Sequence, residues 1–392
     1  MNYTKRARAA RLAGNHLDAA DAWRLALNDA PDDWQLALEL KQDLKAAYHY
    51  PDSDPQFRRA ARYLPDDQWL HHYAALYAFH GTDVESLQAR GAALLADRPQ
   101  DPALHTLLGD VARQRRDWTG AVSAFTAAIA LAPGDPTLLA KLHQAHRYCS
   151  VTINDAGEPY EILVLNLDRN AERWDELRRQ FATSHAPLHR LPGIEGARLA
   201  SPAVQRLTGR ADAPRGTLGC FLSHAAAWQA VIDRNLPHAL VIEDDVIPLI
   251  NLPARIALPP EYQVCFANDR LDAGVDPTVR ALPIDAVMAA FPADDNATGG
   301  DGYFVSNAGA RNLLDRVAAD GFADDVDWRL VAYGVSRGAP LTGHARAEIA
   351  RLHATIPARS PVPTYAVWPA LIRTVGVSSD REDQNRLAEG RR

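Results

Sequence analysis

Four prolines, Pro31, Pro65, Pro99 and Pro133, stand 34 residues apart, and each is followed two positions later by an aspartate: Asp33, Asp67, Asp101 or Asp135. A fixed interval of this length restricts the first part of the chain to a stack of similar units. One unit of this size is a helical hairpin, too small to bury its own apolar face, so neighbours must stack to build a continuous core. The fourth unit carries the fullest pattern, with Leu108 and Gly109 in a first helix and Ala121, Phe125 and Ala128 in a second, ahead of Pro133. The first unit repeats it with Ala19, Trp23 and Ala26 at the same offsets from Pro31. Phe57 and Ala60 fit the second unit, whereas the third has Leu87, Gly91 and Leu94 at those places. Trp23, Phe57 and Phe125 read as inter-helix core residues, not as ligand contacts.

Residues 1–150 resemble a tetratricopeptide repeat array of about four helix pairs, with 136–148 as a capping helix. The resemblance implies an all-α solenoid with a concave face, used to dock a protein partner or to self-associate. The periodic pattern fails at 151–160, VTINDAGEPY, a mixture of Asn, Asp, Gly and Pro that reads as a linker.

Beyond the linker the pattern changes to short apolar runs. The central one is HALVIEDDVIPL at 238–249, where Ala239, Leu240, Val241 and Ile242 predict a buried strand bounded by Pro237 and Pro248. It ends in Glu243, Asp244 and Asp245. Two carboxylates about 4 Å apart repel by roughly 4 kcal/mol at an effective dielectric near 20, so three in a row call for a cation or a proton. Alternation along a strand would put Glu243 and Asp245 on one face and Asp244 on the other, which makes Glu243 and Asp245 the expected metal pair. A second apolar run, EILVLNL at 161–167, predicts another strand, and 169–181 continues as a helix with Trp174, Leu177 and Phe181 on one side. Asn166, Arg169 and Arg173 thus cluster at a strand-to-helix junction, where open α/β sheets bind ligands. The stretch TLGCFLSHAAAWQAVIDRN at 217–235 predicts a helix stopped by Asn235 and Pro237. Cys220 and His224 are spaced on it as zinc ligands can be, but with no further ligand in view zinc is the minor reading.

The order of NLDRNAER, Gly196, LGCFLSH and LVIEDD resembles glycosyltransferase family 25. The resemblance continues through GGDGYFVSNAGARNLL at 299–314, VDWRL at 326–330, WPALI, and Ser378, Ser379 and Asp380. It implies an α/β domain of GT-A type over 161–380 with a polar tail at 381–392. The expected architecture is therefore an all-α tetratricopeptide repeat solenoid followed by an α/β GT-A glycosyltransferase domain. It also implies a divalent metal, manganese, held with the diphosphate of a UDP-sugar. Carried over position by position, Asn166, Arg169, Arg173, Ser223, His224, Glu243 and Asp244 would bind the donor, and Glu243 and Asp245 the metal. If transfer is inverting, as the family implies, a carboxylate must take the acceptor proton; Asp327 is the expected base, with Asp301 in reserve. Family members move galactose from UDP-galactose onto bacterial lipooligosaccharide, and related enzymes act on hydroxylysine in collagen. The repeat array is foreign to the core family, so the acceptor can be a lipooligosaccharide, another glycan or a protein. The alternatives are a repeat scaffold whose transferase-like domain binds a sugar nucleotide without turnover, and a metal-dependent phosphohydrolase.

Composition narrows the chemistry. Lysine occurs only at Lys5, Lys41, Lys45 and Lys141, so a phosphate site in the second half must rely on arginine, backbone N–H groups or a metal. A formal net charge of -7 and the lack of a basic domain exclude a nucleic-acid binder. Cys149, Cys220 and Cys265 are widely spaced and form neither a disulfide framework nor a four-ligand zinc site, which fits a reducing compartment. The first residues lack the apolar core of a signal peptide, and no apolar run is long enough to span a bilayer. The expected location is cytoplasmic or peripheral to the inner membrane.

Overall fold

The structure is a computed structural model that describes residues 3–46, 65, 66, 69, 84–151, 156–271, 280–289, 299–341 and 343–374. Phe57, Ala60, Asp67, Ser378, Ser379, Asp380 and the 381–392 tail lie outside the described residues. Described helices of the first half are α1 (Tyr3–Leu12), α2 (His16–Asp29), α3 (Trp34–Ala46), α4 (Val84–Asp97), α5 (Pro102–Gln114), α6 (Trp118–Leu131) and α7 (Pro136–Cys149).

Three of the recurring aspartates, Asp33, Asp101 and Asp135, are helix caps. Asp33 Oδ1 accepts the backbone N–H groups of Gln35 and Leu36 at 3.0 and 3.2 Å. Asp101 accepts from Ala103 at 3.0 Å, and Asp135 from Thr137 and Leu138 at 2.8 and 3.2 Å. Each satisfies donors that a helix start leaves without partners, worth ~1 kcal/mol apiece. The repeat interval therefore marks where each new helix begins. Inside the stack Trp23 and Phe125 are fully buried, and Leu87 and Leu94 of the third unit are buried as well. Gly109 is glycine for a packing reason, because the Phe125 ring fills the space a Cβ would need. Asp43, also buried, laces the first three helices together by accepting from Arg11, His16 and the Trp23 indole at 2.7, 2.8 and 2.7 Å.

The second half is a mixed sheet between helical layers. Its strands are β1 (Glu158–Pro159), β2 (Glu161–Asn166), β3 (Leu188–Pro192), β4 (His238–Glu243), β5 (Val246–Pro248), β6 (Arg255–Ile256), β7 (Val264–Phe266), β8 (Arg280–Pro283), β9 (Gly302–Ser306), β10 (Thr364–Trp368) and β11 (Ile372–Thr374). The helices are α8 (Ala171–Gln180), α9 (Ser201–Thr208), α10 (Arg215–Asp233), α11 (Ile284–Ala289), α12 (Asn307–Asp320), α13 (Val326–Gly334) and α14 (Gly343–Thr355). Seven strands form the main sheet in the order β3-β2-β4-β9-β7-β10-β8. Strands β3, β2 and β4 run parallel, β9 is antiparallel to both its neighbours, and β10 is parallel to β7. The sheet is buried on both faces, which is why its central strands read as unbroken apolar runs. Ile162, Val164, Leu240 and Ile242 face one core, and Leu163, Leu165, Ala239 and Val241 face the other. Helix α10 begins at Arg215 behind Pro214, slightly ahead of the expected 217.

The last helices of the array pack onto this half. Trp118 and Tyr148 stack with ring centroids 4.6 Å apart and are buried in one cluster with Leu249 and Ala370. Trp118 Nε1 donates to the Leu249 carbonyl at 3.0 Å, and the Tyr148 hydroxyl to the Ala370 carbonyl at 2.7 Å. Leu249 follows β5 and Ala370 precedes β11, and these two strands pair antiparallel. Among the described residues no helix is long and apolar enough to cross a membrane.

Candidate functional site

Strand register builds the site. Leu165 of β2 lies opposite Glu243 of β4, Ile242 opposite Gly302 of β9, and Tyr303 opposite Phe266 of β7. The residues just past these pairs, Asn166, Asp244, Asp301 and Asn268, must therefore meet at one edge of the sheet. The Glu243 N–H donates to the Asp301 carbonyl at 3.3 Å and closes the edge.

The three consecutive acids diverge, though not by strand alternation. β4 ends at Glu243, and Asp244 and Asp245 form the turn into β5, so the expected alternation stops at the first acid. Glu243 continues the row of Ala239 and Val241 and faces α10, with Oε1 3.3 Å from His224 Nε2 and 3.8 Å from Cys220 Sγ. Asp244 turns towards β2, accepting from Asn166 Nδ2 at 2.6 Å and from Arg173 at 3.3 Å. Asp245 Oδ1 is buried and has no hydrogen-bond partner among the described residues. Burial, and after it the charges of Glu243, Asp244 and Asp301, push this carboxyl well above the ordinary carboxylate range; Arg173 opposes them.

Asp301 is held firmly. It is only 4% exposed, and its Oδ1 accepts from Asn268 Nδ2 at 2.6 Å. Its Oδ2 accepts from Arg270 Nε at 2.8 Å and from the Thr374 hydroxyl. Asp327 lies half-buried in the first turn of α13, behind the Asp325 cap, and its Oδ1 accepts the Gly300 N–H at 2.6 Å. Both reach the same edge as the acidic turn. Asn166 bonds the Asn170 carbonyl at 3.0 Å and accepts from Arg190 Nε at 2.6 Å, while Arg190 also reaches Asp168 at 2.6 Å. Arg169 is exposed in the turn between β2 and α8.

Ser223 is not brought to the acids. Its hydroxyl donates to the Gly219 carbonyl and accepts the Ile194 N–H, both at 2.8 Å. Consecutive helical residues project about 100° apart, so Ser223 pins the segment that follows β3 while His224 faces the acids. Gly196 and Gly219 sit beside it for a related reason: a Cβ on Gly196 would run into the Arg215 carbonyl, and one on Gly219 into the backbone of Ile194 and Gly196.

Several side chains at this edge carry no local signal in the sequence. Tyr303 and Trp228 stand behind His224, with the Tyr303 hydroxyl 2.9 Å from His224 Nδ1 and 2.8 Å from Trp228 Nε1. Burial pushes the Tyr303 hydroxyl well up from its usual value. The ligand atoms of Cys220, His224 and Glu243 lie within 4.8 Å of one another, so Glu243 is the third group absent from the zinc reading. Arg190, Asn268, Arg270 and Thr374 also belong here; the ANDR stretch at 267–270, after β7, hints at Asn268 and Arg270 alone. Asp269 is pushed up to about 6 by burial, against the opposing charge of Arg373 at 3.6 Å.

Residues 160–253 match the family model described as glycosyltransferase family 25 (LPS biosynthesis protein). That segment holds β2, α8, α10, β4 and the acidic turn, and it ends before Asp301 and Asp327. Procollagen galactosyltransferase 2 of Homo sapiens is 35% identical over 97 residues, which is 22% of this chain and 16% of that protein. Procollagen galactosyltransferase 1 of Danio rerio is 31% identical over 97 residues, again 22% of this chain and 16% of the relative. A human protein named inactive glycosyltransferase 25 family member 3 is 30% identical over 98 residues, 22% of this chain and 16% of its own length. The chain thus spans about a sixth of the length of the curated relatives it matches. The matching segment, residues 160–253, is joined to a helical array on one side and to the rest of an α/β sheet on the other.

Proposed function

We propose that the α/β half is a metal-dependent glycosyltransferase of GT-A type. In this reading it moves a hexose, galactose from UDP-galactose, onto a lipooligosaccharide, another glycan or a protein. The array, read as tetratricopeptide repeats, docks that acceptor, a partner or a second copy, in the cytoplasm or at the inner membrane surface. The observation that carries the reading is Asp245 Oδ1, buried without a partner, crowded by other acids, and inside the segment that matches the family. Such an atom suits a cation, and an all-oxygen set of carboxylates suits manganese or magnesium better than a soft metal.

Asp245 and Glu243 would hold the ion. Bound there, a divalent cation supplies charge neutralisation for the departing diphosphate. The chain's own groups account for the rest. Arg173 and Arg270 lie against Asp244 and Asp301, and with no lysine beyond Lys141 arginines are the side chains able to meet phosphate oxygens. Asp301, with both oxygens taken by three donors, is turned away from an acceptor hydroxyl. Asp327, half-buried in the first turn of α13 and accepting the Gly300 N–H, is the better placed base for the acceptor hydroxyl.

The test is nucleoside diphosphate release from a panel of sugar nucleotides, with and without manganese, comparing wild type with Asp245→Ala. Manganese-dependent UDP release that is lost in the variant supports the reading. Donor binding without release, with acceptors of each class supplied, favours a second reading: a repeat scaffold with a non-catalytic sugar-nucleotide domain. The similarity to a relative named inactive supports keeping that reading in view. Release of sugar phosphate would instead mark a phosphohydrolase.

A further inference from the structure

Behind Glu243 three buried side chains stand in line. Trp228 Nε1 lies 2.8 Å from the Tyr303 hydroxyl, which lies 2.9 Å from His224 Nδ1, and His224 Nε2 lies 3.3 Å from Glu243 Oε1. An indole N–H can only donate. The Tyr303 oxygen must therefore accept from Trp228, and its own hydrogen is left with His224 Nδ1 as partner. Trp228, Tyr303 and His224 are each 0% exposed, so water does not compete for that hydrogen. Were Nδ1 protonated, two donors would converge on the Tyr303 oxygen and a buried hydroxyl hydrogen would have no acceptor among the described residues, an arrangement proteins avoid. The imidazole is thereby left with its proton on Nε2, directed at Glu243.

We propose that Trp228, Tyr303 and His224 form a one-way hydrogen-bond chain that fixes the side chain of Glu243 for cation binding, with His224 as its positioning residue. The inference rests on the reading of Glu243 as a metal ligand given above. It also accounts for the Cys220–His224–Glu243 cluster without a second metal, because the nitrogen facing Cys220 and Glu243 carries a hydrogen instead of a lone pair. The strand register makes the device possible. Tyr303 pairs with Val241, one alternation short of Glu243, so the strand that delivers Asp301 to the site also delivers the hydroxyl that orients His224. Glu243 needs such a guide: it is a long side chain, 33% exposed, at the end of its strand.

Two measurements on the full chain test this. Nitrogen NMR of histidine-labelled protein is expected to show His224 with an unprotonated Nδ1 and a protonated Nε2. The opposite tautomer, or an imidazolium, overturns the chain directly and does so without any metal. Manganese affinity, read from the paramagnetic resonance of free ion, is then compared across variants. Tyr303→Phe is expected to weaken binding by about 10-fold, the lower end of what loss of a ligand's direct outer partner does, because Tyr303 acts on Glu243 through His224. His224→Gln, whose amide N–H can stand where Nε2–H stood, is expected to hold affinity better than His224→Asn. Cys220→Ser is expected to bind manganese as wild type does. Wild type that binds manganese while Tyr303→Phe binds equally well refutes the positioning role and leaves the proposed function standing. Wild type that binds no manganese, with or without UDP, refutes the cation reading of Glu243 and the positioning role together. Stoichiometric zinc retained by wild type and lost in Cys220→Ser overturns the proposal in favour of a thiolate site.

Discussion

Asn166 Nδ2 donates to Asp244 Oδ2 at 2.6 Å across 78 positions of sequence. The contact follows from register, since Leu165 faces Glu243 and the next residue on each chain must meet. Its effect is to draw one of three adjacent carboxylates towards β2, leaving Asp245 as the acid with an unsatisfied buried oxygen. Asn166→Leu keeps the bulk but leaves Asp244 and Arg190 each short of a partner. Loss of ~1–3 kcal/mol of stability is expected from urea unfolding. A variant as stable as wild type would show that the contact does not hold the turn.

Asp245→Asn should trade function against stability. The carboxyl is pushed up by burial and by neighbouring acids, so its removal relieves a repulsion that persists whenever no cation is bound. The cation-free variant is expected to be more stable than wild type at pH 7, as read by urea unfolding. Manganese should raise the melting temperature of wild type and not that of the variant. Equal manganese shifts in both would place the ion elsewhere.

Asp327→Asn is expected to lower kcat by about 10²- to 10⁴-fold while donor affinity, measured by titration with UDP-sugar, stays unchanged. The carboxamide keeps an oxygen to accept the Gly300 N–H, so the fold around it is preserved. Near-normal turnover would remove Asp327 from the role of base.

Asp269 gives a dependence on pH with a definite sign. Its carboxyl lies at about 6 in the folded chain against an ordinary 3.8, because burial outweighs the pull of Arg373. Its contribution is fully present below pH 3.8 and is lost as pH rises through 6, since in that window the folded chain retains a proton that the unfolded chain has released. The loss is on the order of 2–3 kcal/mol. Asp269→Asn removes this slope, so urea unfolding at successive pH values should show the variant gaining on wild type between pH 4 and 7. Parallel curves would count against a raised Asp269.

Part of this arrangement is legible in the residues themselves. EILVLNL and HALVIE read as buried strands because both faces of the sheet are covered, and the helical stack is visible because a cap must recur where each helix starts. The strand-to-helix junction at Asn166 and Arg173 is legible for the same local reason. The acidic turn is not, because alternation holds only as far as the strand runs, and nothing local says that β4 stops at Glu243. Ser223 and His224 are adjacent in sequence yet serve opposite sides of one helix. Tyr303, Asn268 and Thr374 reach the site through pairings of β9, β7 and β11 with distant strands, and such register is a property of the whole sheet.

The seating of Trp118 and Tyr148 against Leu249 and Ala370 gives the array a polarity of growth. Where stacked helical units meet only their neighbours, units can be gained or dropped without redesigning the remainder. That freedom ends at the last unit, whose outer surface is spoken for by carbonyls and apolar atoms from the sheet half. A copy inserted after it would face strands it does not fit. Length, and with it reach, can therefore vary at the end remote from the acids, while the junction beside them stays the same.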